Sequence, residues 1–74
     1  MEKFAFYIGV DVSKNTLDVH CVEVNKHITV PNRTEGFRMF HSFCRENGID
    51  LGNAFVALEY TGGYEYRFIQ HLHD

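Results

Sequence analysis

Seventy-four residues leave room for one small domain, in which apolar burial and the entropy of ordering the chain nearly cancel. With 45% hydrophobic residues, 23% charged residues and one proline, the composition excludes disordered and collagen-like chains. No apolar run approaches the roughly 18 residues of a membrane span. A net charge of −3, with Lys and Arg scattered, argues against this chain gripping nucleic acid alone.

The N-terminus carries no long apolar core or small-residue cleavage site of a secretory signal. Cys21 and Cys44 lack CxxC spacing and read as free buried thiols. Both features lead to the expectation of a cytoplasmic protein.

From Phe4 to Val12 the run FAFYIGVDV is apolar and β-favouring, which predicts a buried strand. Ser13-Lys14-Asn15 is a polar turn. Leu17 to Val24 then alternates, with Leu17, Val19 and Cys21 on one face and Asp18, His20 and Val22 on the other. The pair reads as a hairpin, and His27 to Val30 as a third strand beside it. Pro31 ends that run because it has no N–H to donate. Asn32, with Glu35 three residues on, resembles a capping box that opens a helix. Phe37, Phe40, Phe43 and Cys44 fall at helical spacing along its core face, and Gly48 is a natural stop. Ala54 to Leu58 is a fourth apolar run, ending on Glu59. Thr61 is placed to cap a second helix with Tyr64, Phe68 and Leu72 as its apolar stripe.

The predicted class is therefore α/β, in the order β-β-β-α-β-α. A helix between strands three and four lets strand four pair parallel to strand one. Asp11 and Glu59 would then end adjacent strands at the carboxyl edge of the sheet, where open α/β sheets bind ligands. Strands lie about 4.8 Å apart, so the two carboxylates could share one divalent cation, and without one they repel. Oxygen donors with incomplete protein coordination suit Mg2+ or Mn2+ rather than zinc. The plainer alternatives are a turn aspartate at Asp11 capping Ser13 or Lys14, and a solvated strand end at Glu59.

Thr61-Gly62-Gly63 follows strand four directly. Two glycines admit close approach of a phosphate, and the next helix would present its N-terminus to the anion; a tight strand-to-helix turn is the alternative. The five histidines read as surface residues, because His71 and His73 fall on different helix faces and no pair has zinc spacing. Tyr60, Tyr64 and Tyr66 could contact bases, or pack at the core and rim. No GxSxG or Walker A pattern is present.

Three phrases, YIGVDVSKNTLDV, VPNRTEGF and VALEYTGGY, together resemble the opening of the DEDD transposases of bacterial insertion-sequence family 110. They stand in that family's order and spacing and cover nearly the whole chain. The resemblance implies a RuvC-like, ribonuclease H-type fold with sheet order 3-2-1-4-5, of which residues 1–74 would form the N-terminal, truncated portion of the catalytic domain. Asp11 and Glu59 match the first D and the E of the acidic tetrad, as catalytic and Mg2+- or Mn2+-binding residues. The other two acids and a C-terminal domain with a candidate nucleophilic serine would lie in later segments. Lys14, Thr61, Gly62 and Gly63 become possible phosphate or DNA contacts. Such transposases cut and rejoin DNA, with a guide (bridge) RNA in studied members, in bacterial or archaeal cytoplasm. The truncation implies weak metal binding, no strand transfer by this portion alone, and a homo-oligomer through the exposed strand Ala54–Leu58.

Two other readings remain at this level. One is a fragment of an actin- or sugar-kinase-type nucleotide phosphotransferase, although IGVDVSKNT lacks the glycine- and threonine-rich phosphate hairpin. The other is a non-catalytic interaction module or a remnant of a mobile element.

Overall fold

The computed structural model describes residues 3–60 and 64–73. Its strands are β1 (Phe6–Val12), β2 (Thr16–Cys21), β3 (Lys26–Pro31) and β4 (Ala54–Tyr60), and its helices α1 (Thr34–Glu46) and α2 (Tyr66–His73). The sheet order is β3-β2-β1-β4, antiparallel between β3, β2 and β1 and parallel between β1 and β4. The fold is thus a mixed α/β sheet in the element order expected from the sequence, and β4 is an edge strand.

Alternation divides the sheet into two unlike faces. Ile8, Val10, Val12, Leu17, Val19, Cys21 and Val30 are buried on one side, beneath Phe37, Phe40, Phe43 and Cys44 of α1 and Phe68 of α2. Phe68 sits between its neighbours, 5.5 Å from Phe37 and edge-on to Phe40 at 5.3 Å between ring centres. The other face carries Tyr7, Gly9, Asp11, Phe55 and Glu59, all exposed. Both thiols are free and buried, and burial, with a smaller effect of Cys21, pushes Cys44 up to about 11. Among the described residues no helix is long and apolar enough to cross a membrane.

Local chemistry explains most of the boundaries. The β1–β2 turn is closed by Ser13, whose N–H donates to the Thr16 carbonyl at 2.9 Å and whose hydroxyl lies 2.8 Å from that of Thr16. The second strand ends at Cys21, earlier than the alternation suggested, because the chain turns at Val22–Asn25. Asn25 takes φ 51° there, a left-handed conformation that Asn tolerates. Glu23 in this turn accepts the Tyr7 N–H at 2.7 Å, and that bond holds its carboxyl below the ordinary glutamate range.

Helix α1 ends as its sequence indicates. Gly48 has φ 68°, its N–H donates to Arg45 O, and the Ile49 N–H reaches back to Cys44 O at 2.8 Å. This is a Schellman closure, completed by burial of Ile49.

The start of α1 differs from the expected capping box. The N-cap is Arg33, in extended conformation and without a side-chain cap, and the helix opens at Thr34. Asn32 is engaged elsewhere. Tyr64 also departs from expectation: it precedes α2 in a turn and is 45% exposed, so Phe68 and Leu72 carry the inward stripe. The expected cap Thr61 lies outside the described residues.

Candidate functional site

Pairing register brings the two acids together. In the parallel β1–β4 ladder Asp11 is the direct partner of Glu59, and in the antiparallel β1–β2 ladder it is the partner of Asp18. The even spacing of Tyr7, Gly9 and Asp11 along β1, and of Phe55, Ala57 and Glu59 along β4, puts all six on the open face. Three carboxylates consequently form a row across adjacent strands near the carboxyl ends of β1 and β4. Asp11 makes no capping bond to Ser13 or Lys14 among the described residues, since the turn is closed by Ser13 and Thr16 instead.

A hollow of about 330 Å³ lies over this row, bordered by Gly9, Val10, Asp11, Asp18, His20, His27, Ala57 and Glu59. Its floor is low because Gly9 and Ala57, partners in the ladder, carry almost no side chain. A Cβ added at Gly9 would meet nothing within 4 Å.

The three acids are not equivalent. Asp18 accepts a hydrogen bond from the Thr29 hydroxyl and lies 3.8 Å from Nε2 of His27. Asp11 and Glu59 have no such partners among the described residues, so their oxygens are the ones left for a ligand. No three His, Cys, Asp or Glu side chains converge on a common cation position among the described residues. The pair offers an incomplete oxygen shell that suits a hard cation keeping several waters.

Asn32 was not recognised from sequence as part of this region. Its side-chain amide donates to Ser13 O at 2.9 Å and to Tyr64 O at 3.0 Å, while its backbone N–H donates to Asn15 O at 2.8 Å. One side chain thus ties the turn after β1 to the segment after β4, the two connections that flank the acids. The only signal available was its place in VPNRTEGF, where a capping role is the local reading.

Lys14 borders a second hollow of about 330 Å³ with Asn32, Tyr64, Tyr66 and Arg67. The expected phosphate contact at Lys14 therefore acquires a second cation, Arg67, and two exposed tyrosines. Thr61, Gly62 and Gly63 lie outside the described residues.

His20 and His27 are exposed as expected, but two other histidines depart from the surface reading. His41 and His71 are half-buried and face each other across α1 and α2, with Nε2 atoms 2.7 Å apart. Burial first, then His71 and Arg45, lower the pKa of His41. Thirty residues separate the two rings, beyond the reach of any local spacing rule.

No protein-family model matches the chain, and no curated protein matches it.

Proposed function

We propose that this chain is the N-terminal part of a RuvC-like, ribonuclease H-type catalytic domain of a DEDD transposase, acting in the cytoplasm. The observation that carries the reading is the ladder pairing of Asp11 with Glu59 on the open face. The phrases IGVDVSK and LEYTGGY supply these acids, and the sheet order β3-β2-β1-β4 is the one such a domain requires of its first four strands.

In this reading Asp11 and Glu59 are two of the four acids of a Mg2+ or Mn2+ site. The chemistry such an ion would supply, once the tetrad is complete, is polarisation of a scissile phosphate. The protein's own part is to set two carboxylate oxygens side by side on rigid strands and to hold the flanking connections through Asn32. Lys14 and Arg67 neutralise the DNA backbone beside the acids, and Tyr64 and Tyr66 offer flat surfaces to bases. Two acids alone hold the ion weakly, and strand transfer needs the remaining pair. DNA and a guide RNA are the partners of the whole transposase.

The test is a Mn2+ titration of the isotope-labelled chain, following paramagnetic broadening of amide signals. Broadening centred on residues 11 and 59, and abolished by Asp11→Asn, is the expected result. Diffuse broadening, or a centre on the histidines, overturns the carboxylate site.

A further inference from the structure

A pair of histidines meets within the helical layer, on the opposite side of the sheet from the acid row. His41 on α1 and His71 on α2 converge through Nε2, with ring centroids 4.7 Å apart and planes inclined at 57°. Each ring is backed by an aromatic neighbour. Phe40 meets His41 edge-on at 5.6 Å, and Phe37 lies 5.1 Å from His71. A hollow of about 380 Å³, bordered by Thr34, Phe37, Arg67, Gln70 and His71, lies against the His71 side of the pair.

Two bare Nε2 lone pairs repel at 2.7 Å, so a positive centre belongs between them. In the metal-free chain it is a proton, donated by one ring and accepted by the other. A metal ion can replace it once each ring turns its lone pair toward a common point, and the two nitrogens already stand at a suitable spacing. With metal–nitrogen bonds of about 2.0 Å, nitrogens at 90° lie about 2.8 Å apart, whereas tetrahedral positions need about 3.3 Å. The observed spacing matches adjacent positions of a tetragonal ion, the geometry of Cu2+ and Ni2+.

We propose that His41 and His71 form a two-imidazole seat for a tetragonal divalent transition metal, Cu2+ or Ni2+, which pins α2 to α1. Occupation needs no net proton release from the neutral pair. The donor ring moves its proton from Nε2 to Nδ1, and both Nε2 lone pairs then bind the metal. Water completes the coordination, since no third His, Cys, Asp or Glu joins the pair among the described residues. Arg45, which acts on His41, and Arg67, beside His71, oppose a dication and hold the affinity below that of a three- or four-ligand site. The seat differs chemically from Asp11 and Glu59, whose oxygens favour Mg2+ or Mn2+.

The test is a Cu2+ titration of the 74-residue chain at pH 7.5 with excess Mg2+ present, read by electron paramagnetic resonance and amide broadening. One copper per chain, two coupled nitrogens and broadening centred on residues 41 and 71 are expected. Affinity should fall at least tenfold in His41→Gln and in His71→Gln, and stay unchanged in a His20→Gln/His27→Gln double variant. The metal-free melting temperature of each variant shows whether it still folds, and the wild-type spectra decide the site if one does not. A single coupled nitrogen, or a centre on His20 and His27, overturns the proposal. Copper centred on Asp11 and Glu59 overturns it too while leaving the oxygen site standing, and Mn2+ failing at those acids does not touch the imidazole seat.

Discussion

Replacing Asp11 with Asn should make the metal-free chain more stable while removing one of the two acids of the proposed cation site. Asp11 stands in the middle of three carboxylates on neighbouring strands, directly paired with Asp18 and with Glu59. Side-chain pairs across strands contribute roughly 0.2–1 kcal/mol each, and like charges directly opposite count against the fold. Asp18 is partly relieved by Thr29 and His27, so the pair with Glu59 carries most of the repulsion. Relief of both pairs gives a gain of about 1 kcal/mol, equivalent to about 4–8 °C in Tm for a domain of this size. The assay is thermal unfolding of wild type and Asp11→Asn at low salt, in 1 M salt and with Mn2+. At 1 M the Debye length is about 3 Å, so the gain should largely vanish. Mn2+ should raise Tm only in the wild type, because only that chain presents the directly paired carboxylates of Asp11 and Glu59. An unchanged or lower Tm for the variant at low salt refutes the reasoning, as does a gain that survives 1 M salt.

Other substitutions test the packing that positions this edge. Gly36→Ala places a Cβ against the Pro31 carbonyl, 2.6 Å from its carbon, and neither backbone can swing aside. Overpacking of about 3 kcal/mol against about 1 kcal/mol of helix propensity leaves a net loss near 2 kcal/mol. Denaturant unfolding that shows a gain instead would mean α1 does not sit on the end of β3. The depressed pKa of His41 makes the unfolded chain bind more protons than the folded one as pH drops below about 6.5. Stability should therefore fall between pH 7 and 5, and a urea midpoint whose pH slope is the same in His41→Gln would contradict this. If chains associate through the edge strand β4, sedimentation should show concentration-dependent dimers that Phe55→Lys weakens. A concentration-independent monomer counts against that interface.

The parts of the fold legible in the sequence are those governed by local period. Leu17, Val19 and Cys21 announce one face of β2 by alternation, and Phe37, Phe40, Phe43 and Cys44 one face of α1 by helical spacing. The adjacency of Asp11 and Glu59 also follows, because a helix between β3 and β4 permits a parallel return to β1. What escaped depends on partners distant in sequence. Asn32 looks like a helix cap because its neighbours are Pro31 and Glu35, yet its amide serves Ser13 and Tyr64, the latter 32 residues away. His41 and His71 carry no common spacing signal, and only the packing of α2 on α1 brings them within 2.7 Å. Tyr64 fits the α2 stripe by number alone, but α2 begins only at Tyr66.

The same alternation that builds the core also delivers the acids, and this makes the site sensitive to register rather than to loop geometry. Along β1, Ile8, Val10 and Val12 face the helices while Gly9 and Asp11 face solvent. Shifting β4 by one residue against β1 would turn Glu59 toward Phe68 and the core, and turn Val56 and Leu58 outward. Burying an unpaired carboxylate and exposing two aliphatic side chains oppose the slip together. Hydrophobic burial thus fixes the register of the acid pair without any bond to the acids themselves. Asp11 and Glu59 remain free of hydrogen-bond partners among the described residues and open to a cation, on strands that cannot shift without unpacking the core.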